Sequence, residues 1–190
     1  TTMSLLDFLE FCKDDPTAYA SSHQRMLAAI GEPIEFDSQT DPRSARLFMN
    51  SKIRIYPQFA DFYGMEEVIE KAVAYFKHGA QGLEERKQIL YFLGPVGSAK
   101  SSLAERFKAL YETQPIYVLQ AGDQISPMFE HPLGLFDQTI DGPKLAKRYN
   151  IPATALRTIA SPWATKRLKE FKGDISKFTV VKLYPSQLQR

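Results

Sequence analysis

The residues most clearly suited to binding or catalysis form one short stretch, Gly94-Pro95-Val96-Gly97-Ser98-Ala99-Lys100-Ser101. Two glycines followed by a lysine and a serine are typical of a loop whose main-chain N–H groups, together with the positive end of the next helix, bind nucleotide phosphates. Lys100 is expected to reach the β- and γ-phosphate oxygens. Ser101 is expected to place its hydroxyl on Mg²⁺, which prefers hard oxygen ligands, with Ser102 beside it in the first helical turn. The stretch therefore predicts a site for ATP and magnesium.

One residue departs from the usual pattern, because Ala99 stands where such loops have glycine before the lysine. A non-glycine residue at positive φ costs about 1–2 kcal/mol. We therefore expect ATP binding that is weakened but retained. The plainer alternative is a glycine-containing turn with a surface lysine.

The elements needed to position this loop can be identified on both sides of it. The apolar run at 89–93 predicts a strand buried on both faces, and 100–112 predicts the helix that follows the loop. A second strand is predicted at 116–119, helices at 144–149 and 162–171, and a last strand at 178–183. Strands that alternate with helices favour an α/β fold with a mainly parallel sheet.

Helix signals dominate the first 80 residues. Ser4 to Asp7 predicts a capping box that opens a short helix. The apolar face of this helix would comprise Leu5, Leu6, Phe8, Leu9 and Cys12. A capping residue followed by proline predicts helix starts at Asp15-Pro16, Asp41-Pro42 and Ser161-Pro162. We expect the first of these helices to cover 16–30, and a further helix to cover 65–77 with Gly79 as its C-cap.

Composition excludes several classes of protein. The chain has 190 residues, 44% hydrophobic and 24% charged, with a net charge of +2. The sequence has no stripe of basic residues of the kind that indicates nucleic-acid binding. It also has no apolar stretch long enough for a membrane span. Cys12 is the only cysteine, so an intrachain disulfide cannot form, and the three histidines lack the spacing of metal ligands.

The sequence resembles the AAA-type ATPase domain of the PrkA serine protein kinase family along nearly its whole length. The matching stretches are MLAAIGEP (26–33), FYGMEEVI (62–69), AQGLEERKQILYFL (80–93), GPVG (94–97), KSSLAER (100–106), PIYVL (115–119), SPWATKRLKE (161–170) and 173–185. The family usually has two glycines where this chain has Ser98 and Ala99. That departure falls within the nucleotide site itself.

The resemblance implies a P-loop NTPase fold of the AAA type, with three α/β/α layers. It implies an N-terminal helical extension at 1–60 and the first part of the ATPase domain at 61–190, within a larger cytoplasmic, oligomeric protein. It also implies that Tyr63 and Gly64 lie near the adenine, with core packing as the alternative for Tyr63. The implied activity is ATP hydrolysis for protein phosphorylation or remodelling, linked to stress responses, on a protein substrate that the sequence does not identify. A regulatory module that binds ATP without turnover is the alternative.

Hydrolysis in such domains needs an acidic residue at the end of a second strand. Four acidic residues after Lys100 lie in loop-like sequence and are expected to be solvated, namely Asp123, Glu130, Asp137 and Asp141. We therefore expect the chain to be the N-terminal part of an enzyme. The loop at 126–136 is a candidate substrate or subunit loop. Four basic residues are expected on the solvent-exposed face of a helix and at its end, namely Lys166, Arg167, Lys169 and Lys172. A contact with a neighbouring subunit is the alternative.

Overall fold

The computed structural model describes residues 1–37, 52–156 and 159–188. These residues fall into two compact units, Thr1–Ala20 with Pro115–Arg190 and Ser21–Gln114. We call the first the sheet unit and the second the helical unit. The predicted boundary between residues 60 and 61 concerns domain organisation in the family and stays a prediction. The predicted helix start at Asp41-Pro42 lies outside the described residues.

The sheet unit has four strands in the order β1-β6-β4-β5. The strands are β1 (Thr2–Ser4), β4 (Ile116–Ala121), β5 (Gln124–Ile125) and β6 (Phe178–Leu183). All three pairings are antiparallel, with Val118 opposite Val181 in the central pair. The expectation of a mainly parallel sheet is therefore wrong for the described strands. β6 begins more than 50 residues after the end of β4. No local sequence pattern identifies strands so far apart as partners.

Three helices accompany this sheet, and their boundaries follow the predicted signals. They are α1 (Leu5–Asp14), α5 (Gly142–Tyr149) and α6 (Pro162–Glu170). The hydroxyl of Ser4 accepts the Asp7 N–H, and that of Ser161 accepts the Ala164 N–H, so both residues cap their helices as predicted. The predicted capping box at Ser4 is incomplete, because the Asp7 carboxylate accepts from the Ser4 hydroxyl. Leu6 is an exception on α1, because its side chain is 59% exposed rather than part of the apolar face.

Among the described residues, the helical unit is built from α2 (Ser22–Ile30), α3 (Glu66–Ala80) and α4 (Lys100–Glu112), with an antiparallel pair of strands, β2 (Ile34–Asp37) and β3 (Lys52–Ile55). Its core contains Ile30, Val73, Leu103 and Phe107. The helix predicted at 16–30 is two elements, because a 3-10 turn at Pro16–Tyr19 ends before Ser21 caps α2 in a capping box with Gln24.

The prediction that Gly79 is the C-cap of α3 is wrong. The residue lies buried within the last turn of that helix. A β-carbon at this position would lie 2.3 Å from Cδ2 of His23, so the glycine allows the imidazole ring to pack on the helix backbone. None of the helices in the described part of the chain has the length and apolar character that crossing a bilayer requires.

Candidate nucleotide-binding site

The loop at 94–101 leads directly into α4, which begins at Lys100. Two loop residues have left-handed backbone, Gly97 with φ 83° and Ala99 with φ 56°. Ala99 is the N-cap residue, and its carbonyl accepts the first helical hydrogen bond from Leu103 N–H at 2.9 Å. The helix therefore starts from a strained alanine at the position where the loop pattern favours glycine.

Gly94 lies close to the other end of the loop. A β-carbon there would lie 2.8 Å from the Ser98 hydroxyl, so a larger residue would force that hydroxyl to move. The carbonyl groups of Gly94 and Pro95 also turn toward Lys100. Glycine therefore lets the two ends of the loop approach each other.

The main-chain N–H groups of the loop are the central feature of the site. The Ser98 N–H donates to the Pro95 carbonyl at 3.3 Å. Within the described parts of the chain, no acceptor is found for the N–H groups of Val96, Gly97 and residues 99–102. No side chain caps α4 either. An uncapped helix N-terminus with several unbonded donors is suited to an anion.

The ammonium group of Lys100 lies inside the same bend. Its Nζ donates to the carbonyls of Gly94 at 2.6 Å and Pro95 at 2.5 Å, and to the Ser98 hydroxyl at 2.9 Å. These are the three hydrogen bonds that an ammonium can make. A phosphate oxygen bound by the loop would compete for the same donors, because it carries negative charge and attracts the ammonium more strongly than a neutral carbonyl does.

Ser101 and Ser102 occupy the first turn of α4 and are exposed. No hydrogen bond joins the Ser101 hydroxyl to any described residue, so its oxygen is available to a cation. Among the described residues, no group of three His, Cys, Asp or Glu side chains is placed to hold a metal ion. A magnesium ion at Ser101 would therefore depend on phosphate oxygens and water for its remaining ligands.

The segment before the loop is not the buried strand that the sequence predicts. Residues 89–93 form no strand, and the side chains of Ile89, Tyr91 and Leu93 are 89%, 76% and 84% exposed. Only Leu90 and Phe92 pack against the core of the helical unit. The Phe92 ring stacks on Phe107 of α4 with centroids 6.2 Å apart, and this contact anchors the loop to its helix.

A small cavity lies elsewhere in the helical unit, between β3 and the start of α3. It measures about 100 Å³, and its walls include Tyr56, Phe59, Phe62, Tyr63 and Glu66. Tyr63 is 87% exposed, so it forms an outer edge rather than core packing. Gly64 does not line the cavity. It has φ 75°, and its N–H donates to Oε1 of Glu66 at 3.2 Å.

Arg106 of α4, the helix that follows the 94–101 loop, contacts one wall of this cavity. The Arg106 guanidinium lies over the Phe62 ring, 5.1 Å from its centre, and donates two hydrogen bonds to the carboxylate of Asp61. It also donates to the Gln58 carbonyl. The side-chain hydrogen bond from Arg106 lowers the pKa of Asp61 below its ordinary value.

Comparison with known proteins shows the family of this chain. The family model described as the PrkA AAA domain matches residues 3–190. The chain belongs to the PrkA AAA domain family. AAA domains are P-loop NTPases, and the mixed α/β structure is consistent with that class. No solved structure matches the chain.

Two relatives of this PrkA AAA domain illustrate the range of similarity. The serine/threonine kinase YeaG of Escherichia coli (strain K12) is 56% identical over 187 residues, which are 98% of this chain and 29% of that protein. The ATP-dependent protease PrkA of Bacillus subtilis (strain 168) is 28% identical over 193 residues, covering 97% of this chain and 27% of that protein. The chain thus spans less than a third of the length of these curated relatives.

Two acidic residues after the loop, Asp137 and Asp141, have structural partners in the sheet unit of this PrkA AAA domain. Asp137 accepts the N–H groups of Thr139 and Ile140, and Asp141 accepts the N–H of Asp137. Asp123 is exposed, as predicted. Glu130 is not the solvated carboxylate that was expected.

Glu130 is half-buried and joins two segments of the sheet unit. It accepts the Ser126 hydroxyl at 2.9 Å, the Ser161 hydroxyl at 2.6 Å and the Ser161 N–H at 3.0 Å. Ser161 in turn caps α6. Glu130 therefore holds the predicted functional loop at 126–136 against the start of α6.

Three residues around the candidate site, Asp61, Glu66 and Arg106, were missed by reasoning from sequence. Asp61 and Arg106 are 45 positions apart, and each resembles an ordinary charged surface residue. Glu66 fits the acidic first turn of a helix, which the helix dipole alone explains. Only the three-dimensional contacts distinguish these side chains from their charged neighbours.

Proposed function

We propose that this PrkA AAA domain binds Mg-ATP at the 94–101 loop, and that the intact protein hydrolyses the nucleotide. The observation that supports the proposal is the uncapped start of α4, where several loop N–H groups have no acceptor among the described residues and the Lys100 ammonium lies in the same bend. A triphosphate supplies the negative charge and the acceptors that this arrangement lacks.

Each loop residue would have a defined task. Gly94 and Gly97 give the loop its close approach and its left-handed turn. The N–H groups of Val96 to Ser102, including those of Ser98 and Ala99, would surround the β-phosphate, while Pro95 keeps the bend rigid. Lys100 would leave its carbonyl partners for the β- and γ-phosphate oxygens. Ser101 would hold magnesium, which neutralises phosphate charge when bound.

The purpose of hydrolysis is proposed from the relatives. One is named a serine/threonine kinase and the other an ATP-dependent protease. Both activities require ATP, so a nucleotide site is the property that they share. We propose that ATP serves protein phosphorylation or AAA-type remodelling in a cytoplasmic homo-oligomer with the three-layer AAA core.

Isothermal titration with Mg-ATP tests the binding step. Lys100→Ala should weaken binding about 10- to 100-fold, because charge-assisted hydrogen bonds contribute about 1.5–3 kcal/mol. Lys108→Ala is the matched control, since Lys108 is an exposed lysine on the same helix. The proposal fails if the unchanged chain takes up no nucleotide, or if both variants bind ATP as the unchanged chain does.

A further inference from the structure

The Lys100 ammonium uses all of its N–H donors within the 94–101 loop. Two of its acceptors are main-chain carbonyls, those of Gly94 and Pro95. The third is the hydroxyl oxygen of Ser98, 2.9 Å from Nζ, and it is the one side-chain acceptor of the three. Because an ammonium has three donors, none is left for a phosphate oxygen until at least one of these hydrogen bonds breaks.

The Ser98 side chain lies inside the bend. Ser98 and Lys100 are half-buried, whereas residues 94–97 and 99 are exposed. A β-carbon at Gly94 would lie 2.8 Å from the Ser98 hydroxyl and 3.7 Å from Cδ of Lys100, so both side chains cover the same glycine. The hydrogen bond between them is part-buried, while the two to the carbonyls are exposed. A partly buried hydrogen bond is electrostatically stronger than one in water, so Ser98 contributes to holding Lys100 in the loop.

The main chain around Ser98 holds its side chain in this place. Gly97 before it and Ala99 after it have left-handed backbone, with φ 83° and 56°. The Ser98 N–H donates to the Pro95 carbonyl at 3.3 Å and closes a turn. Since these features belong to the main chain, removing the hydroxyl alone should leave the bend in place.

We propose that Ser98 restrains ATP binding by holding Lys100 in a closed arrangement, which the nucleotide must open. This inference rests on the proposed ATP binding and adds a means of regulating the same site. In the closed arrangement the ammonium is bound by the loop, and in the open one it is released toward the phosphates. A site whose competent arrangement is populated in part has an apparent affinity that is reduced by that fraction.

Ser98→Ala tests the restraint, because it deletes the hydroxyl and keeps every main-chain N–H of the loop. In isothermal titration the variant should bind Mg-ATP about 3- to 10-fold more tightly than the unchanged chain, the range expected for the net effect of one hydrogen bond. Ser22→Ala is the control, since Ser22 is an exposed serine in the first turn of α2, and it should bind as the unchanged chain does. A Ser98 hydroxyl that is instead a phosphate ligand gives weaker binding in Ser98→Ala.

A second measurement needs no nucleotide. The Nζ protons of Lys100 should exchange with water more slowly than those of Lys108, an exposed lysine on the same helix, in nuclear magnetic resonance spectra of the unchanged chain. Ser98→Ala should speed the exchange at Lys100 and leave that at Lys108 as it was. This readout follows the closed arrangement itself.

The outcomes separate this inference from the proposed function. If Ser98→Ala binds ATP with equal or lower affinity, Ser98 does not restrain the site, although ATP binding stands. Exchange at Lys100 as fast as at Lys108 in the unchanged chain overturns the restraint without any variant. Absence of ATP binding by both the unchanged chain and Ser98→Ala overturns the proposed function and the restraint together.

Discussion

The guanidinium of Arg106 donates two hydrogen bonds to the carboxylate of Asp61, Nη1 to Oδ1 at 2.9 Å and Nη2 to Oδ2 at 2.6 Å. The pair joins the helix that begins at Lys100 to the segment that forms one wall of the cavity. Arg106 covers the Phe62 ring in the same arrangement. Because arginine presents a planar fork, this geometry fixes orientation as well as distance.

The Asp61–Arg106 pair predicts an acid-dependent loss of stability. The pKa of Asp61 is lowered from 3.8, chiefly by the Arg106 hydrogen bond, so its contribution is present above that value and is lost as the pH falls through the lowered one. Asp61→Asn should therefore lower the melting temperature at pH 6, and the difference should disappear in strong acid. Thermal unfolding across this pH range measures the effect. Arg106→Gln is the complementary variant, and an Asp61 carboxyl that still titrates below 3.8 in it would contradict the assignment.

The left-handed backbone at Ala99 predicts that glycine stabilises the loop. Ala99→Gly should raise the free energy of unfolding by about 1 kcal/mol, because a non-glycine residue at φ 56° is strained. The same change at Ala104, an exposed position inside α4, should lower it by about 0.8–1 kcal/mol. Urea unfolding of both variants gives the comparison. Two changes of the same sign would show that Ala99 is not strained in solution.

Glu130 predicts a structural penalty in the sheet unit. Glu130→Ala removes the acceptor of three hydrogen bonds and leaves the Ser126 hydroxyl, which is 1% exposed, without its partner. We expect a loss of about 1–3 kcal/mol in the free energy of unfolding, measured by chemical denaturation. Glu10→Ala, at an exposed position on α1, should change it by less than about 0.5 kcal/mol. Equal effects of the two changes would contradict the role of Glu130.

Cys12 is predicted to be inert in the folded chain. Burial raises the pKa of its thiol from 9.0 to about 12, with a smaller effect from the charge of Asp15. Since the thiolate is the reactive form, a thiol reagent at pH 8 should react with the unfolded chain and hardly at all with the folded one. A rapid reaction of the folded chain in native buffer would show that this part of its core opens readily.

Where local patterns predicted a helix start or a loop conformation correctly, the physical causes are local. Ser4 and Ser161 cap helices through N–H groups three residues away, and the left-handed conformation at Ala99 belongs to the loop itself. These features depend on a few neighbouring residues. The sequence is therefore sufficient to place them.

Features that depend on distant partners were not predicted. The apolar run at 89–93 suits a buried strand, yet its alternate side chains are exposed and only Leu90 and Phe92 reach the core. β4 pairs with β6, and although both strands were predicted, no local pattern identifies them as antiparallel partners. The role of Arg106 was not predicted for the same reason, because its partner Asp61 lies 45 residues earlier in the chain.

The most direct test follows the backbone amides of the loop by nuclear magnetic resonance during titration with Mg-ATP. We expect large shifts for the N–H signals of Val96, Gly97 and residues 99–102, because these donors lack an acceptor among the described residues and would bind phosphate. Lys100→Ala should greatly reduce the shifts at a given ATP concentration, whereas Lys108→Ala should preserve them. Unchanged loop signals at saturating Mg-ATP, with shifts confined to other surfaces, would contradict the claim that this bend holds the nucleotide.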